Sequence, residues 1–240
     1  MEESQPIKPW HIIFTVFYGL LFPAAFFVLA GDFKWIEGWI FTITLLVWGC
    51  ALMIYLVKKD PELLRERLVS PIQREKKEKQ DIQQKGWDKP IVAILGIFSI
   101  LWIVGTPLDA KRFALSPEFP VLVKIIGVIF LNSGLAIALK ALMDNPFAAS
   151  VARVQKDRKQ KIVSTGIYSV VRHPIYLGGI LWFMGTPLLF GSLIGIGSTI
   201  GMSILFAVRA VKEERMLADE LEGYDEYRKN VRYRIIPFIF

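Results

Sequence analysis

The sequence predicts an all-α fold, a polytopic membrane helix bundle, and three observations point there. The chain of 240 residues is 53% apolar with a mean hydropathy of +0.43, too apolar for an ordinary water-soluble domain. Its apolar residues come in blocks rather than at amphipathic spacing, which is the pattern of membrane spans. Its basic residues gather in the connections between blocks, where topology and anionic headgroups account for a net charge of +7. The expected architecture has about six membrane-inserted helices, the last two a short helical hairpin, and a cytoplasmic C-terminal helical tail.

The first span is expected over about 10–30, with Pro23 a kink, and the second over about 38–57, joined by a turn carrying Asp32 and Lys34. The acidic start, Met1-Glu2-Glu3-Ser4, is unlike a signal peptide, so the first helix is read as retained. The stretch 58–89 is a long basic connection, assigned to the cytoplasm by the positive-inside rule. Within it, 61–67 reads as a short interfacial helix. A third span is expected over about 90–107, an external connection over 109–119, and a fourth span over about 120–143. Residues 151–165 form a second basic segment, ending in a short extended piece and a turn at 162–166.

From 175 to about 190 the chain is apolar again. Gly191-Ser192 breaks it, and 193–208 is a second apolar run. Each half is short for a full span, so the pair is expected to go out and come back. The tail from 212 alternates charges, with a turn near Gly223. Two regions follow: N-terminal helices with the basic loop at 58–89 (1–143), and a region carrying the chemistry (144–240).

Several function classes are excluded or disfavoured. The single cysteine, Cys50, rules out an internal disulfide and is expected as a small buried apolar residue. Only His11 and His173 are present, so no metal site is expected. No basic-aromatic surface points to nucleic acid. A Rossmann fingerprint, a P-loop lysine and a Gly-x-Ser-x-Gly elbow are all missing.

The informative string is Arg172-His173-Pro174-Ile175-Tyr176-Leu177-Gly178, at the boundary between the second basic segment and the hairpin. Arg172 and His173 are expected in water, Tyr176 with its ring at headgroup level and its hydroxyl in water, and Pro174 at the first helical position. The hairpin should return Arg209 and Glu213-Glu214 to the membrane face that holds His173. Arg209, Glu213 and Leu217 recur at four-residue spacing and share one helix face, while Glu214 points elsewhere. Arg, Glu, His and Tyr converging beside apolar walls suit a ligand with one wet half and one greasy half.

The run from Gly166 through Gly178, followed by Glu213-Glu214-Arg215-Met216-Leu217 and by Gly223-Tyr224-Asp225-Glu226-Tyr227, resembles the isoprenylcysteine carboxyl methyltransferase family, which is grouped with the phospholipid methyltransferases. The resemblance covers roughly 155–237. It implies S-adenosylmethionine as methyl donor, bound at the cytoplasmic side. By position, Tyr168, His173, Pro174, Ile175 and Tyr176 match the family's cofactor cradle, and Glu213 its acidic contact, with Leu217 beside it. Gln160, Lys161, Ile162 and Val163 match a loop that closes over the cofactor, and Gln155 is a weaker match. Arg209 matches the substrate-side arginine; with His173 and Glu213 it completes the expected catalytic set.

The residue chemistry agrees. A carboxylate at Glu213 favours a cationic sulfonium, and Arg209 can orient a substrate carboxylate or phosphate through a bidentate fork. An anionic carboxylate acceptor needs no base; an amine acceptor would need one, from His173 or Glu214. The expected partners are a lipophilic or prenylated substrate and membrane lipids. Two alternatives stay open from the residues: an NADPH-dependent membrane reductase of a sterol or enone-like lipid, and a non-catalytic membrane protein.

Overall fold

The computed structural model describes residues 9–59, 85–147, 152 and 160–240. Most of the basic loop, with the helix expected at 61–67, lies outside the described residues, as does Gln155. The chain divides into two compact units, Met1–Ile82 and Gln83–Phe240.

The first unit is a helical pair, α1 (Pro9–Ala30) and α2 (Ile36–Lys59). Gly31 makes the turn at φ +70°, a conformation open to glycine, and its N–H caps Phe27 at 2.9 Å. The pair is held by aromatic packing, with Phe26 on Phe41 at 5.0 Å and Phe27 on Trp39 at 4.9 Å between centroids. Cys50, expected to be buried, is exposed on α2; its helix is apolar nearly all round, so an outward thiol needs no partner.

The second unit holds α3 (Asp88–Ile100, continuing to Arg112), α4 (Val121–Asp144), a 3₁₀ turn (Gly166–Ser169), α5 (Pro174–Phe190), α6 (Leu193–Glu220) and α7 (Tyr224–Asn230). No strand occurs among the described residues, only an isolated parallel bridge between Val171 and Tyr233. Among the described residues, four helices are long and apolar enough to cross a membrane: Ile36–Lys58, Asp88–Arg112, Val121–Asp144 and Leu193–Glu220. Their outward residues, such as Val121, Ile129, Ile200 and Ile204, are apolar and exposed. Such faces belong in lipid, and the chain is an integral membrane protein.

Three expectations are corrected here. The third span does not stop at 107. It widens into π turns at Leu101–Gly105 and Leu108–Arg112, because Pro107 cannot donate an N–H and its ring needs room in the ladder. Asp109, placed by sequence in an external connection, is 1% exposed. It accepts the Ser192 hydroxyl at 2.6 Å and the Ile194 N–H at 3.1 Å, capping α6 where the hairpin turns. Finally, the second half of the hairpin is not short for a span. The segment 208–220 carries no glycine or proline and is rich in helix formers, so the face shared by Arg209, Glu213 and Leu217 belongs to one rod, α6, that runs from Leu193 to Glu220.

The hairpin turn falls where the sequence placed it. Gly191 takes φ +83° and ends α5, and Ser192 caps α6 by accepting the Gly195 N–H at 2.9 Å. α5 is also pressed onto α4 at glycines. A Cβ built on Gly134 would lie 2.4 Å from the Trp182 backbone nitrogen, and one on Gly185 would lie 2.3 Å from that of Leu131. Replacing Gly134 with valine is therefore expected to cost about 1–3 kcal/mol or more through overpacking. Thermal unfolding of the detergent-solubilised protein measures this. Gly197→Ala, with open space around it, should leave the melting temperature unchanged or slightly raised.

Candidate active site

The motif at 172–178 is clamped by the tail before any side chain acts. Arg172 N–H donates to the Tyr233 carbonyl at 3.0 Å and His173 N–H to that of Arg234 at 2.8 Å. His173 then caps α5, with Pro174 at the first helical position as expected. This sets His173 and Tyr176 on the first turn, with their rings stacked at 5.3 Å and 4°. Tyr176 in turn stacks on Phe206 of α6 at 5.1 Å.

α6 meets this turn with two carboxylates. Tyr176 donates its hydroxyl to Glu213 Oε1 at 2.8 Å, and His173 Nδ1 lies 3.7 Å from Glu213 Oε2. His173 Nε2 lies 3.2 Å from Glu214 Oε1. Glu214, one position on, also accepts Arg172 Nε at 2.7 Å, Arg172 Nη2 at 3.2 Å and Arg234 Nε at 2.9 Å. The hairpin thus joins the histidine before it to the glutamates after it. Arg172, His173 and Tyr176 are not in water, however. The Arg172 and His173 side chains are 7% and 9% exposed, because the glutamates and the tail enclose them.

Around this cluster opens a cavity. Gln160, Lys161, Ile162, Val163, Tyr168, His173, Pro174, Ile175, Tyr176, Glu213 and Leu217 all line it. Sequence reasoning did not single out Asn145, Phe147, Ala152, Met216 or Leu221 as wall residues, and placed Tyr224 and Tyr227 only in a helical tail. The four-residue spacing of Leu217 on α6 and Leu221 at its C-terminal cap was the available signal for the end of that wall. Arg209 is absent from the wall. It touches two wall residues, with Nε 3.4 Å from Glu213 Oε1 and its guanidinium 6.0 Å from the Tyr176 ring centre. Its fork goes to Asp88 instead: Nε donates to Oδ1 at 2.8 Å and Nη2 to Oδ2 at 3.2 Å. Asp88 lies far upstream and carries no motif, so sequence offered no sign of it.

The far side of the cavity is aromatic. Tyr224, Tyr227 and Val231 form a buried cluster on which Ile162 and Leu217 pack. Tyr227 donates its hydroxyl to the Tyr168 carbonyl at 2.7 Å. Burial pushes the phenols of Tyr168, Tyr224 and Tyr227 up, so all three remain neutral donors and apolar faces at physiological pH. Asp144 at the end of α4 fixes the neighbouring 3₁₀ turn by accepting the Ile167 N–H at 2.9 Å.

The donor set suits an adenosyl sulfonium. Glu213 offers a carboxylate to hydroxyls, an amino group or a positive sulfur, and Ile162, Val163, Met216 and Leu217 offer apolar contact to a base. Among the described residues no group of His, Cys, Asp or Glu is arranged to hold a metal.

Comparison with known proteins agrees with the class of site. The phospholipid methyltransferase family matches residues 122–222. The protein-S-isoprenylcysteine O-methyltransferase of Schizosaccharomyces pombe is 34% identical over 82 residues, 32% of this chain and 34% of that protein. Its counterpart in Xenopus laevis is 35% identical over 91 residues, 37% of this chain and 31% of that protein. A methanethiol S-methyltransferase of Crocosphaera subtropica is 34% identical over 79 residues, 33% of this chain and 30% of that protein. The chain thus aligns with about a third of the length of these curated relatives. In fold, it matches a solved eukaryotic intramembrane Ras methyltransferase, an isoprenylcysteine carboxyl methyltransferase. The TM-score is 0.52 at 18% identity, covering 92% of this chain and 74% of that one. The resemblance read from the motifs is therefore borne out: the chain is similar to the isoprenylcysteine carboxyl methyltransferases and carries the phospholipid methyltransferase match in its C-terminal half.

Glu214 is nearly dry and pairs with two guanidinium groups, so removing its charge leaves the buried Arg172 without its counter-charge. Glu214→Gln is expected to destabilise the protein by about 3–5 kcal/mol. Thermal unfolding measures the loss, and hydrogen exchange should show the Arg172 and His173 N–H groups, bonded to the 233 and 234 carbonyls, opening first.

Proposed function

We propose that this chain is an integral membrane methyltransferase that moves a methyl group from S-adenosylmethionine to a lipophilic acceptor. The acceptor is a prenylcysteine-like carboxylate or a lipid headgroup. The observation that carries this reading is the cavity in which His173, Tyr176 and Glu213 meet the loop 160–163 and Leu217. About six helices enter the membrane on this reading, α1 and α5 being shorter or less fully described than the four spans. Positive connections put the cavity at the cytoplasmic face. Residues 144–240 act as the catalytic region, with 1–143 as its membrane support.

Glu213 and the wall at 160–176 would hold the donor, with Gln155 a weaker candidate. The bound donor supplies an electrophilic methyl: its carbon–sulfur bond breaks, the electron pair stays on sulfur as a thioether, and an acceptor lone pair forms the new bond. Glu213 favours the positive charge of the donor, and the Tyr168, Tyr176 and Tyr224 faces favour a methylsulfonium. The same walls exclude water and align the reactants. A carboxylate acceptor loses no proton in becoming an ester. For an amine, His173 is the group to take the proton, because guanidinium and imidazole partners already surround Glu214. Arg209, behind Glu213 and held there by Asp88, would orient an anionic acceptor group.

Calorimetry on the purified protein tests the reading. S-adenosylhomocysteine should bind and NADPH should not. Glu213→Ala should weaken binding by about 10- to 100-fold, the worth of hydrogen bonds to a charged group. Tight NADPH binding without adenosylhomocysteine would favour a reductase, and binding of neither a non-catalytic protein. Labelled S-adenosylmethionine, given with N-acetyl-S-farnesylcysteine or with phosphatidylethanolamine vesicles, separates the two acceptor classes.

A further inference from the structure

We propose that Asp88, upstream of every motif residue, is a positioning residue for the transfer, holding Arg209 in register with the donor cavity. The proposal rests on the methyltransferase reading above. Asp88 is the first residue of α3, and its carboxylate is 0% exposed. It takes both N–H groups on one edge of the Arg209 guanidinium, at 2.8 and 3.2 Å. Two parallel bonds fix the plane of a guanidinium as well as its place, which a single contact cannot do.

The plane so fixed has a destination. The same arginine lies 3.4 Å from Glu213 and 6.0 Å from the centre of the Tyr176 ring, and both of those residues line the cavity. The Tyr176 hydroxyl closes the chain on Glu213 at 2.8 Å. Asp88, Arg209, Glu213 and Tyr176 therefore form one line running from the dry start of α3 to the cavity wall. Two carboxylates share one guanidinium in it, so these three charges sum to a net negative, which suits a cationic donor.

Asp88 has a second grip. Its Oδ2 also accepts the backbone N–H of Ala152 at 3.2 Å, and Ala152 is itself part of the cavity wall. One buried carboxylate thus ties Ala152 of the cavity wall to the orientation of Arg209. Seating that wall and aiming the arginine are the same event. The start of α3 is braced for this by its neighbours. Lys85 pairs with Glu220 at 2.5 Å, and the Lys212 ammonium lies 5.7 Å from the centre of the Trp87 ring. These contacts fix the backbone around Asp88 along the face of α6 that carries Arg209.

A staple serving stability alone would not need this chemistry. A buried ion pair contributes little or nothing over well-packed apolar side chains of the same volume, whereas it sets direction. Asp88 would act on the rate through Arg209 and not by touching substrate.

The test uses the full chain in detergent, with S-adenosylmethionine and N-acetyl-S-farnesylcysteine as substrates and S-adenosylhomocysteine as binding probe. Asp88→Asn should lower kcat by about 10²-fold, the scale of a misplaced orienting group, with a smaller change in adenosylhomocysteine affinity. In an Arg209→Lys background the same substitution should cause no further loss of kcat, because both changes remove one device. A purely structural Asp88 would multiply its loss onto that of Arg209→Lys, and that result overturns the proposal, as does full kcat in folded Asp88→Asn. If Asp88→Asn does not fold, Asp88→Glu keeps the charge and shifts the fork by one methylene. It should lose kcat at near-native melting temperature, and unchanged kcat overturns the proposal. A wild-type chain that binds no adenosylhomocysteine overturns the methyltransferase reading first, and this one with it.

Discussion

Glu214 sets the constraint from which the rest of the site follows. Its carboxylate is carried by a helix that is otherwise apolar for much of its length, and it is only 4% exposed. A charge held that far from water is tolerable only if it is paired and hydrogen-bonded on every side. Arg172, His173 and Arg234 meet that demand, and they come from the motif turn and the tail. Arg172 also donates to the Val231 and Arg232 carbonyls, at 2.6 and 3.0 Å, so the same side chain that neutralises Glu214 pins the tail. The cavity is what remains on the other side of this knot, where Glu213 faces out and Glu214 faces in.

The knot depends on α5 and α6 being held in register at the opposite end. Gly191 turns the chain in a conformation that suits glycine, and Asp109 fixes the start of α6 through Ser192 and Ile194. Ser116 joins in, donating to Asp109 at 2.8 Å and accepting the Leu193 N–H at 2.8 Å. Close approach of α4 and α5 at Gly127, Gly134, Gly178 and Gly185 leaves α5 little freedom to slide. A shift of one residue along α6 would exchange Glu213 for Glu214 at the cavity. A rigid hairpin is therefore a condition of the chemistry.

Much of this was legible in the chain before folding. Apolar blocks read as spans because the bilayer imposes length, and Gly191-Ser192 read as a turn because both residues signal one. The meeting of His173 with Glu213 followed from a hairpin between them. What escaped were effects of tertiary pairing. Asp88 and Arg209 are 121 positions apart, and nothing local to either marks the other. Arg172 and His173 read as water-facing because their own sequence neighbours are polar or interfacial; the tail that covers them comes from 231–234. Asp109 read as part of an external connection because its partner Ser192 lies on another segment, at the hairpin turn. The half at 193–208 read as short for a span because hydropathy falls after 208 while helix propensity does not.

The central claim is that the histidine turn and the glutamate face of α6 enclose one sulfonium-bearing nucleoside. Ultraviolet cross-linking of labelled S-adenosylmethionine to the purified chain, followed by peptide mapping, tests it most directly. The account predicts label on peptides spanning 160–176 and 213–227, lost on competition with S-adenosylhomocysteine. Competable label confined to other segments, or none at all, would contradict it.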